Sequence, residues 1–237
     1  MRPIVLVPWF PGTNCHPEMA HAFELAGARA EVVPLQQLID GRRGLHEADL
    51  IGIAGGFSWG DHLGAGRVAA VDLQHLLRAQ LALVMERGIP ILGVCNGFQI
   101  LVASGLLPGP GQKAILDLNL SARFEHWGDT KIHLHQPRGV QCIWIEGLDG
   151  MEITLPVAHA EGRLVYPEGT MLDIVATYGS QKGSTKYPAS PSGSPIAGIC
   201  DSTGTIMGMM PHPERRVHRL LGDQGWPIFR AGVKAVM

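Results

Sequence analysis

The sequence predicts an α/β protein built on a three-layer, doubly wound and mostly parallel sheet with a mixed or antiparallel strand extension. Three observations carry the prediction. Short β-branched runs alternate with segments of helical period from Ile4 to Ser104, turn residues close most of these segments, and after Pro108 short alternating runs follow one another without helices between them.

Taken in order, Ile4 to Val7 is a strand that ends in a Pro and Gly turn. Pro17 to Ala26 is a helix with Met19, Ala22, Phe23 and Ala26 at helical spacing before Gly27. Glu31 to Val33 and Leu50 to Ile53 are the next strands, the second ending abruptly at Gly55-Gly56. Arg67 to Arg87 is expected as one long amphipathic helix with Val68, Val71, Leu76, Leu83 and Val84 near one stripe, closed by Gly88. Ile89 to Val94 reads as a strand buried on both faces, and Asn96 to Ser104 as a helix that begins at once behind Cys95. Lys131 to Leu134, Val140 to Ile145, Ile153 to Val157 and Ile174 to Tyr178 are then expected as strands. Gly179 to Pro195, with 11 Gly, Ser or Pro among 17 residues, is expected as a surface loop. Ile196 to Cys200 and Thr205 to Met210 form a hairpin, and Trp226 to Val236 a closing helix.

A length of 237 residues suits one domain spanning 1–237. The 19 basic and 21 acidic residues leave a net charge of -2 with no run of like charge, which argues against nucleic acid or an anionic membrane as partner. Apolar residues make up 46%, enough for a core and far from a disordered composition. The longest apolar runs fall well short of the roughly 20 residues that span a bilayer. Pro3, Pro8 and Pro11 interrupt the N-terminal apolar run, so that end reads as a mature strand of a cytoplasmic protein. Cys15, Cys95, Cys142 and Cys200 include no C-x-x-C pair, so free thiols are expected and neither a disulfide framework nor a metal site.

The segment Gly93-Val94-Cys95-Asn96-Gly97 carries the chemistry. It sets a thiol at a strand-to-helix turn with glycine two residues either side, the form of a nucleophile elbow. The helix N-terminus favours a thiolate, and the Asn96 N–H can point at a developing oxyanion. A cysteine at a strand end is by itself commonly a small core residue. The segment Met210-Pro211-His212-Pro213-Glu214 shifts that balance: in extended backbone, His212 and Glu214 project to the same side. His212 would take the thiol proton and Glu214 would hold its imidazole. Gly55-Gly56-Phe57-Ser58 supplies a loop whose backbone N–H groups can approach a ligand and complete an oxyanion hole. No G-x-x-x-x-G-K-[ST] pattern accompanies it, so the loop is not read as a nucleotide cradle. His133 and His135 lie in a predicted strand without a cysteine or carboxylate cluster and are read as surface residues.

The strings PGTNC (11–15), GGFSWGDHL (55–63), GVCNGFQIL (93–101), LPVAHAEG (155–162), IAGICD (196–201) and GMMPHPER (208–215) resemble the class I glutamine amidotransferases. Among these they are most similar to the small glutaminase subunits of phosphoribosylformylglycinamidine synthases of purine biosynthesis. The resemblance implies a flavodoxin-like amidotransferase fold and a glutamine hydrolase with Cys95 as nucleophile, His212 as general base and acid, and Glu214 as its orienting partner. It also implies that Gly56 and Asn96 stabilise the oxyanion, with Gly55 and Phe57 beside them. Gln99, His159 and Glu161 are weaker candidates for holding substrate or shaping the site. No cofactor is implied in this chain. ATP and magnesium would be used by a large synthetase subunit that receives the ammonia, with a small bridging subunit in the same complex.

Against the family pattern, Trp59 and His62 stand where tyrosines are usual, Gly64 where arginine is usual and Ala160 where glycine is usual. The sequence leaves three other readings open: an amidotransferase for another acceptor, a stand-alone γ-glutamyl hydrolase, and a non-catalytic binding module. Arg215, Arg216 and Arg219 read as a solvated face or a docking patch.

Overall fold

The computed structural model describes residues 2–179 and 190–237. In chain order the elements are β1 (Ile4–Trp9), α1 (His16–Leu25), β2 (Arg29–Pro34), α2 (Leu35–Ile39), β3 (Leu50–Ile53), α3 (Arg67–Val71), α4 (Arg78–Glu86), β4 (Ile91–Val94) and α5 (Asn96–Ala103). They continue with β5 (Ile115–Asp117), β6 (Glu125–Leu134), β7 (Glu152–His159), β8 (Arg163–Val165), β9 (Asp173–Tyr178), β10 (Ile196–Cys200), β11 (Ile206–Met209) and α6 (Trp226–Ala235). Nine strands make one sheet in the order β2-β1-β3-β4-β11-β10-β9-β6-β7. Neighbours run parallel from β2 to β11 and antiparallel from β11 to β7. The β10–β11 hairpin joins the two halves. Its second strand lies parallel to β4, whereas its first pairs antiparallel with β9.

The alternation of side chains along β3 places helices on opposite faces of the sheet. A Cβ at Gly52 would meet Phe23 and Met19 of α1, whereas the Cβ of the next residue, Ile53, sits beside Gly97 of α5. Both faces are therefore covered, and β3, β4, β10 and β11 are buried along their whole length, as their unbroken apolar sequences require. On the α1 face, α6 adds Phe229, whose ring meets Phe23 edge to face at 5.0 Å. On the other face α5 lies close because Gly93 and Gly208, paired across β4 and β11, offer no side chain to hold it away.

Three expectations change. The helix predicted over Arg67 to Arg87 is broken at Leu77, where the segment Arg67–Leu76, whose second half Asp72–Leu76 is a π-type turn, meets Arg78–Glu86 at 82°. Of the expected stripe Val84 is buried but Val71, Leu76 and Leu83 are exposed, and Ala69, Ala70, Leu73 and Leu77 are buried in their place. Tertiary polar contacts set the bend: buried Asp72 accepts the Trp59 indole N–H at 2.7 Å. Gln80 of α4 binds the Leu38 carbonyl at 2.6 Å and the Leu45 amide at 2.9 Å. The strand expected over Val140 to Ile145 is a short 3₁₀ turn at Ile143–Ile145. Trp144 leaves the sheet there to fill the space between α1 and α6, its indole donating to the Thr205 carbonyl at 2.8 Å and packing on Phe23 and Gly232. Of the loop expected over Gly179 to Pro195, residues 180–189 lie outside the described residues. Ser190, Ser192 and Ser194 are buried rather than on the surface, linked by their own hydroxyls. The β5–β8 ribbon and α2 were not legible as elements in the sequence. Among the described residues no single helix is long and apolar enough to cross a membrane.

A Cβ at Gly97 would run into the Ile53 carbonyl, which sheet pairing holds in place. Gly97→Ala is therefore expected to lower stability by about 1–3 kcal/mol in urea unfolding. Gly128→Ala, where a Cβ meets nothing within 4 Å, should stay within about 0.5 kcal/mol of the parent.

Candidate active site

Cys95 occupies the turn between β4 and α5 at φ 52°, ψ −108°. An L-residue held there costs of order 1–3 kcal/mol and persists only if its surroundings impose it. They do: the Cys95 amide donates to the Met209 carbonyl at 2.8 Å, and its carbonyl accepts from the Gln99 amide at 3.0 Å. The thiol is buried and lies 3.5 Å from the Ala158 carbonyl at the end of β7.

His212 and Glu214 follow β11. The His212 amide is fixed to the Pro156 carbonyl at 2.9 Å, and His212 Nδ1 stands 2.6 Å from Glu214 Oε1. The two side chains meet through the 3₁₀ turn Pro213–Arg215 rather than along an extended strand, so the contact expected from sequence forms by a different backbone route. Both residues are 2% exposed. Burial by itself presses the His212 pKa down, but the Glu214 carboxylate and the Cys95 thiol outweigh it and raise it to about 10. Among the described residues His212 Nε2 has no partner at full hydrogen-bond geometry, although the neighbouring Cys95 thiol helps to raise the imidazole pKa. A Cβ placed on Gly55 would lie 3.0 Å from His212 Cε1 and 3.4 Å from Cys95 Cβ. The His212 and Cys95 side chains thus converge on this glycine, and an added methyl would crowd the imidazole.

The Gly55-Gly56 loop pairs with the segment before α1. Cys15 N donates to Gly55 O at 3.2 Å and Phe57 N to Gly12 O at 3.3 Å. These bonds flank Thr13 and Gly56 as an antiparallel bridge and leave the Gly56 amide outside the ladder. A cavity of about 280 Å³ is lined by Cys95, His212, Gly56 and Phe57 together with Cys15 and Arg215. Phe57 is half exposed at its rim, stacked on Phe124.

Other expected site residues lie behind this cavity. Asn96 is fully buried, its Oδ1 accepting the Ser58 amide at 3.1 Å and its Nδ2 donating to Gln99 Oε1 at 2.9 Å. Gln99 Nε2 donates to the Glu161 carbonyl at 2.6 Å, so both ends of its amide are engaged within the protein. Gln99 lines a neighbouring groove with Ala65, Arg67 and Leu116. The Glu161 carboxylate receives the Ala65 amide. His159 is buried, and burial, reinforced by nearby His212, lowers its pKa to about 4. As a neutral ring it donates Nδ1–H to Asn119 Oδ1 at 3.0 Å, and Asn119 Nδ2 returns a bond to the His159 carbonyl at 2.8 Å.

Sequence reasoning missed three contributors. Arg215 is no part of a solvated face: its guanidinium donates to Cys15 Sγ at 3.3 Å inside the cavity. Arg216 does face outward, paired with Asp129 at 2.6 Å. Cys15 had signalled as a scattered thiol and as the end of the PGTNC string, with no role given to it, and Asn119 carried no motif at all. Burial, then the Glu214 carboxylate, push the Cys15 thiol up to about 11, so at neutral pH it is a protonated thiol. His133 and His135 do not act together: His135 bonds Thr177 Oγ1 at 2.7 Å, and His133 lies 3.7 Å from Glu152.

A family model described as a CobB/CobQ-like glutamine amidotransferase domain matches residues 2–228. Among curated proteins, the phosphoribosylformylglycinamidine synthase subunit PurQ of Dehalococcoides mccartyi is 42% identical over 229 residues, 92% of this chain and 86% of that protein. PurQ of Pyrococcus furiosus is 38% identical over 232 residues, covering 96% of each. Among solved structures, a chain of PurLQS from Thermotoga maritima superposes with a TM-score of 0.81 at 32% identity over the whole of both chains. A glutamine amidotransferase from the same organism, at 15% identity and a TM-score of 0.57 over 100% of this chain and 98% of that one, shares the fold.

The raised His212 pKa implies a pH-dependent stability. A histidine whose folded pKa lies above its unfolded value stabilises fully below about 6.5, and that contribution is lost as pH rises towards about 10. The stability difference between the parent and Glu214→Gln, measured by denaturant unfolding, should be widest near pH 6 and narrow steadily towards pH 10.

Proposed function

The chain belongs to the CobB/CobQ-like glutamine amidotransferase family, and from that premise we propose that Cys95, His212 and Glu214 carry its chemistry. The chain is the glutaminase subunit of a phosphoribosylformylglycinamidine synthase, which hydrolyses glutamine to glutamate and ammonia. The observation that carries the residue assignment is the convergence of a strained, buried Cys95 and the buried His212–Glu214 pair on Gly55.

His212, whose raised pKa favours the charged ring, holds the Cys95 proton on Nε2, the ring nitrogen left free by the bond from Nδ1 to Glu214, and the resulting Cys95 thiolate attacks the side-chain amide carbon of glutamine. The negative charge that develops on the amide oxygen is met by the Asn96 amide, a first-turn N–H that no intrahelical bond uses, and by the Gly56 amide opposite. His212 returns its proton to the departing nitrogen, which leaves as ammonia. Water, deprotonated by His212, then cleaves the γ-glutamyl thioester and restores the Cys95 thiol. Gln99, Glu161, His159 and Asn119 act behind the site, holding the helix start and the end of β7 in place.

Ammonia released to water is protonated and loses its nucleophilicity, so the product is useful only if it is handed on within an assembly. The chain is a subunit of such a complex. We assign the receiving partner as a large synthetase subunit that converts formylglycinamide ribonucleotide to the amidine with ATP and magnesium, and a small bridging subunit as the third component. On this reading the chain works as one amidotransferase domain over 1–237 in the cytoplasm and needs no cofactor of its own. The identity of 36–42% to synthase subunits over nearly whole chains favours this acceptor over other amidotransferase reactions.

Glutamate release by the chain alone, and again with synthetase, bridging protein, ATP and formylglycinamide ribonucleotide, tests the assignment. A sharp rise in the full mixture is expected, and no release in either condition would overturn it. Cys95→Ala should abolish glutamine-dependent synthesis and leave ammonia-dependent synthesis intact. His212→Ala should lower kcat by roughly three powers of ten, and near-parental turnover in that variant would sink the proton-transfer role.

A further inference from the structure

A cavity of about 550 Å³ lies at the C-terminal ends of β1 and β2 and shares no lining residue with the catalytic one. Its walls include Trp9, Leu35, Ile39, Trp59 and Leu76, and its one charged lining residue is Asp72. A space of that size takes a whole small organic molecule. The two indoles that border it are held in place. The Trp9 N–H donates to the Thr13 carbonyl at 3.1 Å and the Trp59 N–H to Asp72 Oδ2 at 2.7 Å, so each ring is pinned while more than a third of the residue stays exposed. Fixed rings whose N–H groups are already used offer carbon and π surface, which suits an apolar body or a cation.

Asp72 decides the sign of the charge. The residue is only 8% exposed. Its Oδ2 is bonded to Trp59, but among the described residues Oδ1 has no hydrogen-bond partner, and it is not sealed inside the protein. Burial lifts the Asp72 pKa above the ordinary carboxylate value, with the Trp59 bond opposing, so the carboxylate lacks the solvation that a counter-charge would replace. No lysine, arginine or histidine is among the lining residues, which disfavours a phosphate or carboxylate ligand. The group that matches a buried carboxylate with an open oxygen is a positively charged N–H donor.

We propose that this cavity binds a small organic cation, a primary ammonium on an aromatic or aliphatic body. The ammonium donates to Asp72 Oδ1, and the body lies against Trp9, Ile39 and Leu76. The site is independent of the roles given to Cys95 and His212.

Tryptamine is the probe. The controls are tryptophol, the same indole with a hydroxyl in place of the ammonium, and indole-3-acetate, an anionic counterpart. Titrated into the full chain and followed by ligand-observed NMR, tryptamine should show saturable binding with a Kd of about 1 mM or tighter. Tryptophol should bind about tenfold more weakly or worse, and indole-3-acetate should not bind. Asp72→Asn keeps an acceptor for the Trp59 indole, removes the charge, and should weaken tryptamine by about tenfold or more. Because Asp72 is buried at a helix bend, a second variant uses an exposed wall position: Leu76→Lys sets a competing ammonium at the cavity and should also weaken tryptamine by about tenfold. No saturable tryptamine binding, equal binding of tryptophol, or undiminished binding by folded Asp72→Asn or folded Leu76→Lys would each overturn the proposal. Loss of tryptamine binding when the chain joins the synthetase and bridging subunits would overturn it too, because the cavity would then be a socket for a partner's side chain.

Discussion

The closeness of α5 to the sheet is the constraint on which the rest depends. Every residue of that helix from Asn96 to Val102 is buried, so it has no wet face and must lie against protein all round. Gly93 on β4, Gly208 on β11 and Gly97 on the helix make this possible, because a Cβ at any of them would collide with the opposing layer. With the helix that near, the chain has a single residue in which to turn from strand into helix. That residue is Cys95, forced to positive φ, with its backbone tied to Met209 on one side and to the helix on the other. Strain stored in the turn is thus offset by packing distributed over three strands, and Cys95 is placed by the core rather than by a loop.

The partner groups are placed by a different device. His212 and Glu214 leave β11, the strand that pairs with β4, so thiol and imidazole hang from adjacent strands. Their relative position is then as rigid as one parallel pairing, and the Pro156 carbonyl fixes the His212 amide from β7 on the far side of the sheet. Behind them a continuous set of buried polar contacts links Ser58, Asn96, Gln99 and Glu161, and a second joins Asn119 to His159 and Gly162. Asn96, Gln99, Glu161 and Asn119 each bind backbone of a different segment, which holds the glycine loop, the helix start and the end of β7 in one register.

The parallel half of the fold was legible because strands buried on both faces must be short apolar runs, and Leu50 to Ile53 and Ile91 to Val94 are such runs. The same logic failed over Arg67 to Arg87, where a plausible apolar stripe was present but Asp72 and Gln80, both polar, found tertiary partners and bent the helix. It failed again at Trp144, whose neighbours have strand-forming sequence but whose indole fills a gap that exists only once α1 and α6 are docked. In the site, the order of glycines around Cys95 and the His-Pro-Glu spacing were visible as local pattern. Arg215 and Asn119 were not, because what they do depends on residues 200 and 40 positions away.

The sequence by itself determined the layer architecture and marked Cys95 at its strand-to-helix turn and His212 with Glu214 as candidates, since each of these is a local matter of period, turn chemistry and spacing. Only the tertiary structure decided how the cavity is closed. It brought Cys15 from the start of α1 to the His212–Glu214 pair, turned Arg215 inward onto that thiol, and removed Gln99 from the cavity by saturating its amide within the protein. The physical reason is that side-chain direction and polar satisfaction at a buried site are settled by whatever packs opposite, and in a doubly wound sheet the opposing residues come from distant parts of the chain.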